Sequence, residues 1–135
     1  MPSAPSPALL AKLAALLGPR GFTTDSATMA PWLTDWRGKY HGAAAAMLSP
    51  ASTAEAAAVV TLCAAEAAAL VPQGGNSGMV GGATPDASGT QLLLSTRRLD
   101  QIRGIDPDAR LVVAEAGVIL AHLHDAVLAR HLRFP

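Results

Sequence analysis

The chain carries a single cysteine, Cys63, among its 135 residues. That excludes an internal disulfide framework and a zinc site built from several cysteines, and it suits a reducing compartment, so a cytoplasmic location is expected. Aromatic residues make up only 4% of the chain. Hydrophobic residues make up 50%, but many of these are alanine, which contributes little area per residue, so the core should be thin. An excess of charge of one sign is also missing. Ten basic and ten acidic side chains leave a formal net charge of zero, which argues against nucleic acid or an anionic membrane as partner. No apolar run is long enough for a membrane span, and Met1 to Pro7 lacks the basic and apolar blocks of a secretory signal. A soluble domain is expected, since a chain of this size can bury roughly two-thirds of its unfolded surface.

What is present begins with a proline-rich start, Met1 to Pro5, expected to fray. Ser6 and Pro7 then supply an N-cap and a favoured first helical residue, and Leu9, Leu10, Leu13, Leu16 and Leu17 recur at helical spacing up to Gly18-Pro19. Residues 21 to 42 hold both tryptophans and the only tyrosine without sustained periodicity, and read as a long irregular connection. Ala44 to Leu48 reads as a short buried strand. Ser52-Thr53-Ala54-Glu55 is a capping box that opens a helix to about Ala68, apolar nearly all round and therefore expected to be largely buried. Leu70 to Pro72 would be the next strand of a β-α-β unit, with Gln91 to Ser95 and Arg110 to Glu115 as further strands and Val118 to Arg130 as a last helix. Strands alternating with helices predict an α/β or α+β domain whose early strands are parallel. The expected division is an N-terminal helix with its aromatic connection over 1–42 and the main domain over 43–135, incomplete at its C-terminus.

The most informative segment is Pro72-Gln73-Gly74-Gly75-Asn76-Ser77-Gly78-Met79-Val80-Gly81-Gly82. Glycines let successive N–H groups converge on one point, which is how a backbone nest binds an anion. Gln73, Asn76 and Ser77 add side-chain donors. No lysine or arginine occurs between Lys39 and Arg97, so a bound phosphate would be held by neutral donors. That suits a dinucleotide pyrophosphate and disfavours an ATP loop ending in Gly-Lys-Ser/Thr. The Gly-x-Gly-x-x-Gly fingerprint of the Rossmann fold is missing too. The alternative is a surface loop or broad turn whose glycines only meet backbone constraints.

These residues resemble the FAD-linked oxidases and dehydrogenases with a PCMH-type, vanillyl-alcohol-oxidase-like flavin domain, in particular the glycolate, D-lactate and D-2-hydroxyglutarate dehydrogenase branch. The resemblance rests on Asp35-Trp36-Arg37-Gly38-Lys39-Tyr40, Ser49-Pro50, the loop Val71 to Gly82, Leu94-Ser95 through Ile102, and Glu115-Ala116-Gly117-Val118. It implies an α+β fold with FAD between two subdomains and its pyrophosphate on Gln73 to Met79, continued by Gly81 and Gly82. It also implies that Pro50 lies near the adenine end, and that Ser95 and Glu115, Ala116, Gly117 and Val118 flank the flavin half. Asn76 stands where several relatives carry a flavin-linking histidine, so FAD should be non-covalent. The family's second glycine-rich segment and substrate domain do not occur in these residues. The expectation is therefore the N-terminal part of a dehydrogenase for a small-molecule 2-hydroxy acid. The alternative is a non-catalytic flavin-binding subunit or truncated inactive chain that needs a partner chain.

Other residues invite weaker readings. His122 and His124 lie two apart, about 200° round a helix, and should not share a metal ion. Cys63 reads as a buried, inert thiol, His41 as a loop histidine, and Trp32 and Trp36 as packing anchors. Arg97, Arg98, Arg103 and Arg110, interleaved with aspartates, read as a solvated face. No residue is assigned as a catalytic base.

Overall fold

The computed structural model describes residues 4–135; the fraying expected of residues 1–3 lies outside the described residues. Helix α1 spans Pro7–Gly21, with the Ser6 hydroxyl accepting the Leu9 N–H at 3.0 Å. The expected stop is present inside it, because Gly18 takes φ 63° and ψ −178° and breaks the helical path before Pro19. The supposedly irregular connection holds more order than its pattern suggests. Strand β1 (Phe22–Thr23), a single-turn helix α2 (Ser26–Met29) and a 3-10 turn (Ala30–Trp32) follow one another. Elements of two to four residues are too short for periodicity to register.

Strands β2 (Ala46–Leu48), β3 (Leu70–Gln73) and β4 (Leu92–Ser95) join β1 in a sheet of order β1-β2-β4-β3. β2 and β3 are both parallel to β4, which lies between them, whereas β1 is antiparallel to β2. The early strands are therefore parallel, but β2 and β3 are not neighbours. The β1–β2 ladder carries contacts across residue 42.

Side chains along β2 and β4 alternate between two cores, as strand geometry requires. Ala46, Leu48 and Leu92 pack with Leu9, Leu13 and Leu17 of α1 and with Val59 and Cys63 of α3 (Thr53–Ala65). Met47 and Leu93 face the other way, against Met29, Trp32 and Leu33. The N-cap of α3 forms, with the Ser52 hydroxyl accepting the Glu55 N–H, while the Glu55 carboxylate reaches one residue past the N-cap to accept the Ala51 N–H. The helix is not largely buried, however. Only Val59 and Cys63 are fully buried and Val60 is 49% exposed. Alanine on every side makes a helix apolar in composition without making it surrounded.

Strands β5 (Ile102–Asp106) and β6 (Leu111–Ala114) form a separate antiparallel hairpin, followed by helix α4 (Leu120–Leu128). β5 was not anticipated. Its Ile-Arg-Gly-Ile-Asp run is interrupted by Gly104, where the ladder register shifts, and glycine within a strand commonly marks such an irregularity.

Candidate functional site

The parallel strands end together. Leu48 pairs with Leu94 and Gln73 with Ser95, so Ser49-Pro50, Gln73 and Ser95 share the carboxyl edge of the sheet. This edge is where open α/β sheets take their ligands. The glycine-rich loop leaves it from Gln73.

Gln73 closes the base of that loop. Its side chain is buried, and its amide nitrogen donates to the Ala83 carbonyl at 2.8 Å and to the Trp32 carbonyl at 2.9 Å. Asn76, at φ 55°, donates to the Thr34 carbonyl at 2.8 Å. Both side-chain amides, expected to point donors at a ligand, are thus directed at protein carbonyls. A buried amide satisfies itself within the fold when carbonyls are at hand. Ser77, Gly78 and Met79 are exposed on the outer arm of the loop.

The glycines divide into two kinds. A Cβ on Gly81, at φ 75°, would lie 2.9 Å from the Tyr40 ring. Nothing lies within 4 Å of a Cβ on Gly75, Gly78 or Gly82, and a Cβ on Gly74 would meet only the Thr96 hydroxyl, at 3.9 Å. Nor does any of these four take a φ reserved for glycine.

Two clefts meet over Gly75. One, of about 300 Å³, is lined by Trp32, Gly74, Gly75, Arg97, Gly117 and His122. The other, of about 410 Å³, is lined by Trp32, Asp35, Trp36, Gly75 and Asn76. Trp36 is 62% exposed there and is no packing anchor. The glycine-rich loop is not free of cations in space, although it is in sequence. The Arg97 guanidinium lies 5.8 Å from the Trp32 ring centre, and Arg37 donates to the Met79 carbonyl at 2.8 Å. Sequence distance from the loop says nothing about residues that the fold brings back to it, and so the sequence assigns Arg97 to a solvated face, Trp32 to packing and His122 to no ligand role.

The other expected site residues take varied places. Pro50 is fully buried and ends β2 at the carboxyl edge. Ser95 is fully buried, and its hydroxyl, like the Gln73 Oε1 atom, has no hydrogen-bond partner. Buried polar atoms without partners are uncommon. Glu115 is engaged elsewhere, with Oε1 accepting from Arg103 at 2.7 Å and Oε2 accepting the Gln101 N–H at 3.1 Å. Arg103 beside it, then that N–H, hold its carboxyl below the usual value. Ala116 accepts from the Thr96 hydroxyl and Gly117 donates to the Leu99 carbonyl at 2.7 Å. A Cβ on Gly117 would fall 2.0 Å from the Thr96 carbonyl oxygen, so packing alone requires this glycine. Val118 donates back to the Glu115 carbonyl, closing the turn.

The arginines expected on a solvated face have particular partners: Arg98 donates to the Ser49 carbonyl at 2.8 Å, and Arg103 reaches Thr53 as well as Glu115. His122 and His124 diverge as helical geometry requires, His122 into the cleft and His124 to within 6.1 Å of the Phe134 ring. Cys63 is buried, which raises its thiol above the usual value, with Glu66 adding to the effect. No helix among the described residues is long and apolar enough to cross a membrane.

Parallel strands that end together on a glycine-rich loop, with open space over its glycines, define a ligand-binding domain of the open α/β class. The chain belongs to the FAD binding domain family, whose profile matches residues 44–135. It is 35% identical over 112 residues to a protein of Oryza sativa subsp. indica named probable D-2-hydroxyglutarate dehydrogenase, mitochondrial, covering 83% of this chain and 20% of that one. The chain thus spans about a fifth of the length of such relatives. Among solved structures, p-cresol methylhydroxylase with substrate bound superposes with a TM-score of 0.78 at 23% identity, over 93% of this chain and 25% of that one. Alkyldihydroxyacetonephosphate synthase gives 0.82 at 19%, over 96% and 26%. The fold is the PCMH-type FAD-binding fold.

Proposed function

We propose that residues 72 to 82 hold the pyrophosphate of FAD without a covalent bond, in an oxidoreductase that oxidises a 2-hydroxy acid. One observation carries this reading. Gly74, Gly75, Gly78 and Gly82 are required neither by φ nor by a neighbouring atom, yet they cluster in one loop. Close approach of a ligand to the backbone is the remaining reason for glycine there.

The donor chemistry fits the group. The loop's N–H groups would supply neutral donors, Arg97 in the cleft beside Gly74 and Gly75 would supply positive charge, and the buried Ser95 hydroxyl would supply an uncommitted donor at the strand edge. Trp32 and Ile119 add apolar walls to the cleft beside Gly74 and Gly75. Asn76 offers an amide where a covalent link would need a ring nitrogen, and that amide is already bonded to Thr34. When bound, the flavin would supply the hydride acceptor for oxidation at the α-carbon of the substrate. The relatives named for D-2-hydroxyglutarate favour a D-2-hydroxy acid as substrate class.

Titration of the chain with FAD, followed by visible absorption before and after acid precipitation, tests the reading. Uptake with complete release by acid is expected, and Gly75→Val should abolish uptake while circular dichroism stays unchanged. A folded chain that takes up no FAD would overturn it.

A further inference from the structure

The segment Trp32 to His41 lies outside the residues matched to the family profile, yet it touches the glycine-rich loop along its whole length. The Trp32 and Thr34 carbonyls accept from Gln73 and Asn76 at 2.9 and 2.8 Å. Arg37 donates to the Met79 carbonyl at 2.8 Å, and the Tyr40 ring occupies the space beside Gly81. Base, middle and outer arm of the loop are each held from one side by the same ten residues.

That segment is itself rigidly closed. Asp35 is buried at 4% exposure, and its carboxylate accepts the N–H groups of Lys39 at 2.6 Å, Tyr40 at 2.7 Å and Arg37 at 3.4 Å. The Asp35 N–H donates to the Tyr40 carbonyl at 3.0 Å, Gly42 donates to Leu33 at 2.7 Å, and Thr34 bridges His41. Gly38 at φ 65° makes the reversal possible. A carboxylate that collects several backbone N–H groups fixes a turn strongly, because charge-assisted hydrogen bonds are about twice as strong as neutral ones.

The loop needs such support. Its Gly74, Gly75, Gly78 and Gly82 have no side chains to pack, and glycine has the most conformational freedom to lose. Left alone, their N–H groups would point in many directions, and an anion would bear the cost of ordering them. Asn76 sits among them at φ 55°, a conformation asparagine tolerates better than most residues, and its amide is tied to Thr34.

We propose that Trp32 to His41 is a brace that presets the backbone of the anion-binding loop, with Asp35 as its internal fastener and Asn76 as its latch. Asp35 and Asn76 are positioning residues: Asp35 accepts only from its own turn, and the Asn76 amide bonds to Thr34. The proposal rests on the reading of this loop as a pyrophosphate cradle. The brace itself can be observed without any ligand.

Three variants of the 135-residue chain, Asn76→Gly, Asp35→Asn and Arg37→Ala, separate the possibilities, with 1H–15N spectra of the loop glycines as the ligand-free readout. Asn76→Gly keeps the positive φ accessible while removing the bonds to Thr34 and Gln73 and freeing the backbone at that point. It should shift the amide signals of Gly74, Gly75 and Gly78 and weaken FAD binding about tenfold, the loss of one hydrogen bond's worth of preorganisation. Asp35→Asn should shift the same signals although the Asp35 carboxylate makes no hydrogen bond to the loop. If it prevents folding, Asn76→Gly and the exposed Arg37→Ala carry the test. Arg37→Ala should move Val80 and Gly81 more than Gly74. Unmoved glycine signals in folded variants, or FAD affinity in Asn76→Gly equal to that of the parent, would overturn the brace. A parent chain that binds no FAD while the variants still shift those signals would overturn the cofactor reading and leave the brace standing.

Discussion

Leu92 and Leu93 are consecutive and both fully buried, whereas Leu111 and Val113, two apart on one face of β6, are 51% and 47% exposed. The same residue chemistry has opposite fates because β4 has a strand on each side and a core on each face, while β6 has one neighbour. Apolar residues in a strand are buried only when other elements cover them. Around the hairpin, Ile119, Leu120, Leu128 and Phe134 are exposed as well. The two regions join beside the carboxyl edge of the sheet, where Thr96 holds Ala116 and Leu99 holds Gly117. The cleft over Gly75 therefore has one wall on a closed layer and one on an open layer.

The sharpest way to break that contrast is to truncate one residue on each side. Leu48→Ala, in the closed core, should lower unfolding free energy by about 2–5 kcal/mol, as large-to-small core changes do. Val113→Ala, half exposed, should cost no more than about 1 kcal/mol. Equal losses by urea denaturation would mean that the hairpin face is covered in solution.

Glycines give a second, smaller comparison. Gly117→Ala would push a Cβ to 2.0 Å from the Thr96 carbonyl oxygen and force the join apart; a loss of about 1–3 kcal/mol is expected, as for other overpacking. Gly75→Ala meets no atom within 4 Å. It should leave stability unchanged or raise it by about 0.4–1 kcal/mol through the unfolded chain, while weakening FAD uptake. A large stability loss at Gly75 would make that glycine structural and remove it from the argument for a cradle.

The same contrast governs how much could be read in the residues themselves. Ser6-Pro7, Gly18-Pro19 and the Ser52 capping box act through neighbours in sequence, so α1 and α3 were legible to within a few residues. The glycine loop was legible for the same reason. Pairing is different. That β4 lies between β2 and β3 depends on residues more than twenty apart, and nothing local distinguishes it from the simpler order. Burial of α3 is not legible either, because an alanine-rich helix is apolar on every face whether or not other elements cover it. That Arg97 lines the cleft and Arg37 bonds the Met79 carbonyl is set by the fold, which brings both back to a loop from which they are distant in sequence. Trp36, aromatic and exposed at 62%, followed the site and not the usual tendency of its side chain.

The smallest expected difference lies in two carboxylates. Glu115, in the hairpin region, is held below its ordinary value of 4.5 first by the Arg103 guanidinium and then by the Gln101 N–H. Asp35, beside the sheet, is held below 3.8 first by the Tyr40 N–H, with those of Lys39 and Arg37 adding to it against the opposing effect of burial, and Arg37's charge contributing least. Both folded values are depressed, so both stabilise the fold above the ordinary carboxylate range and lose that contribution as pH falls through the lowered values. Salt should separate them. The exposed Arg103 partner is screened by added ions, whereas hydrogen bonds from fixed backbone N–H groups are not. Carboxyl titrations followed by NMR in low and high salt should raise the Glu115 midpoint slightly, because only the charge attraction of Arg103, the least of its causes, is screened, and should leave that of Asp35 in place. Arg103→Ala should raise the Glu115 midpoint more than salt does, because it removes the hydrogen bond as well as the charge, with no effect on Asp35. An Asp35 midpoint that rises with salt as much as that of Glu115 would show that the brace is held by the Arg37 charge and not by its turn.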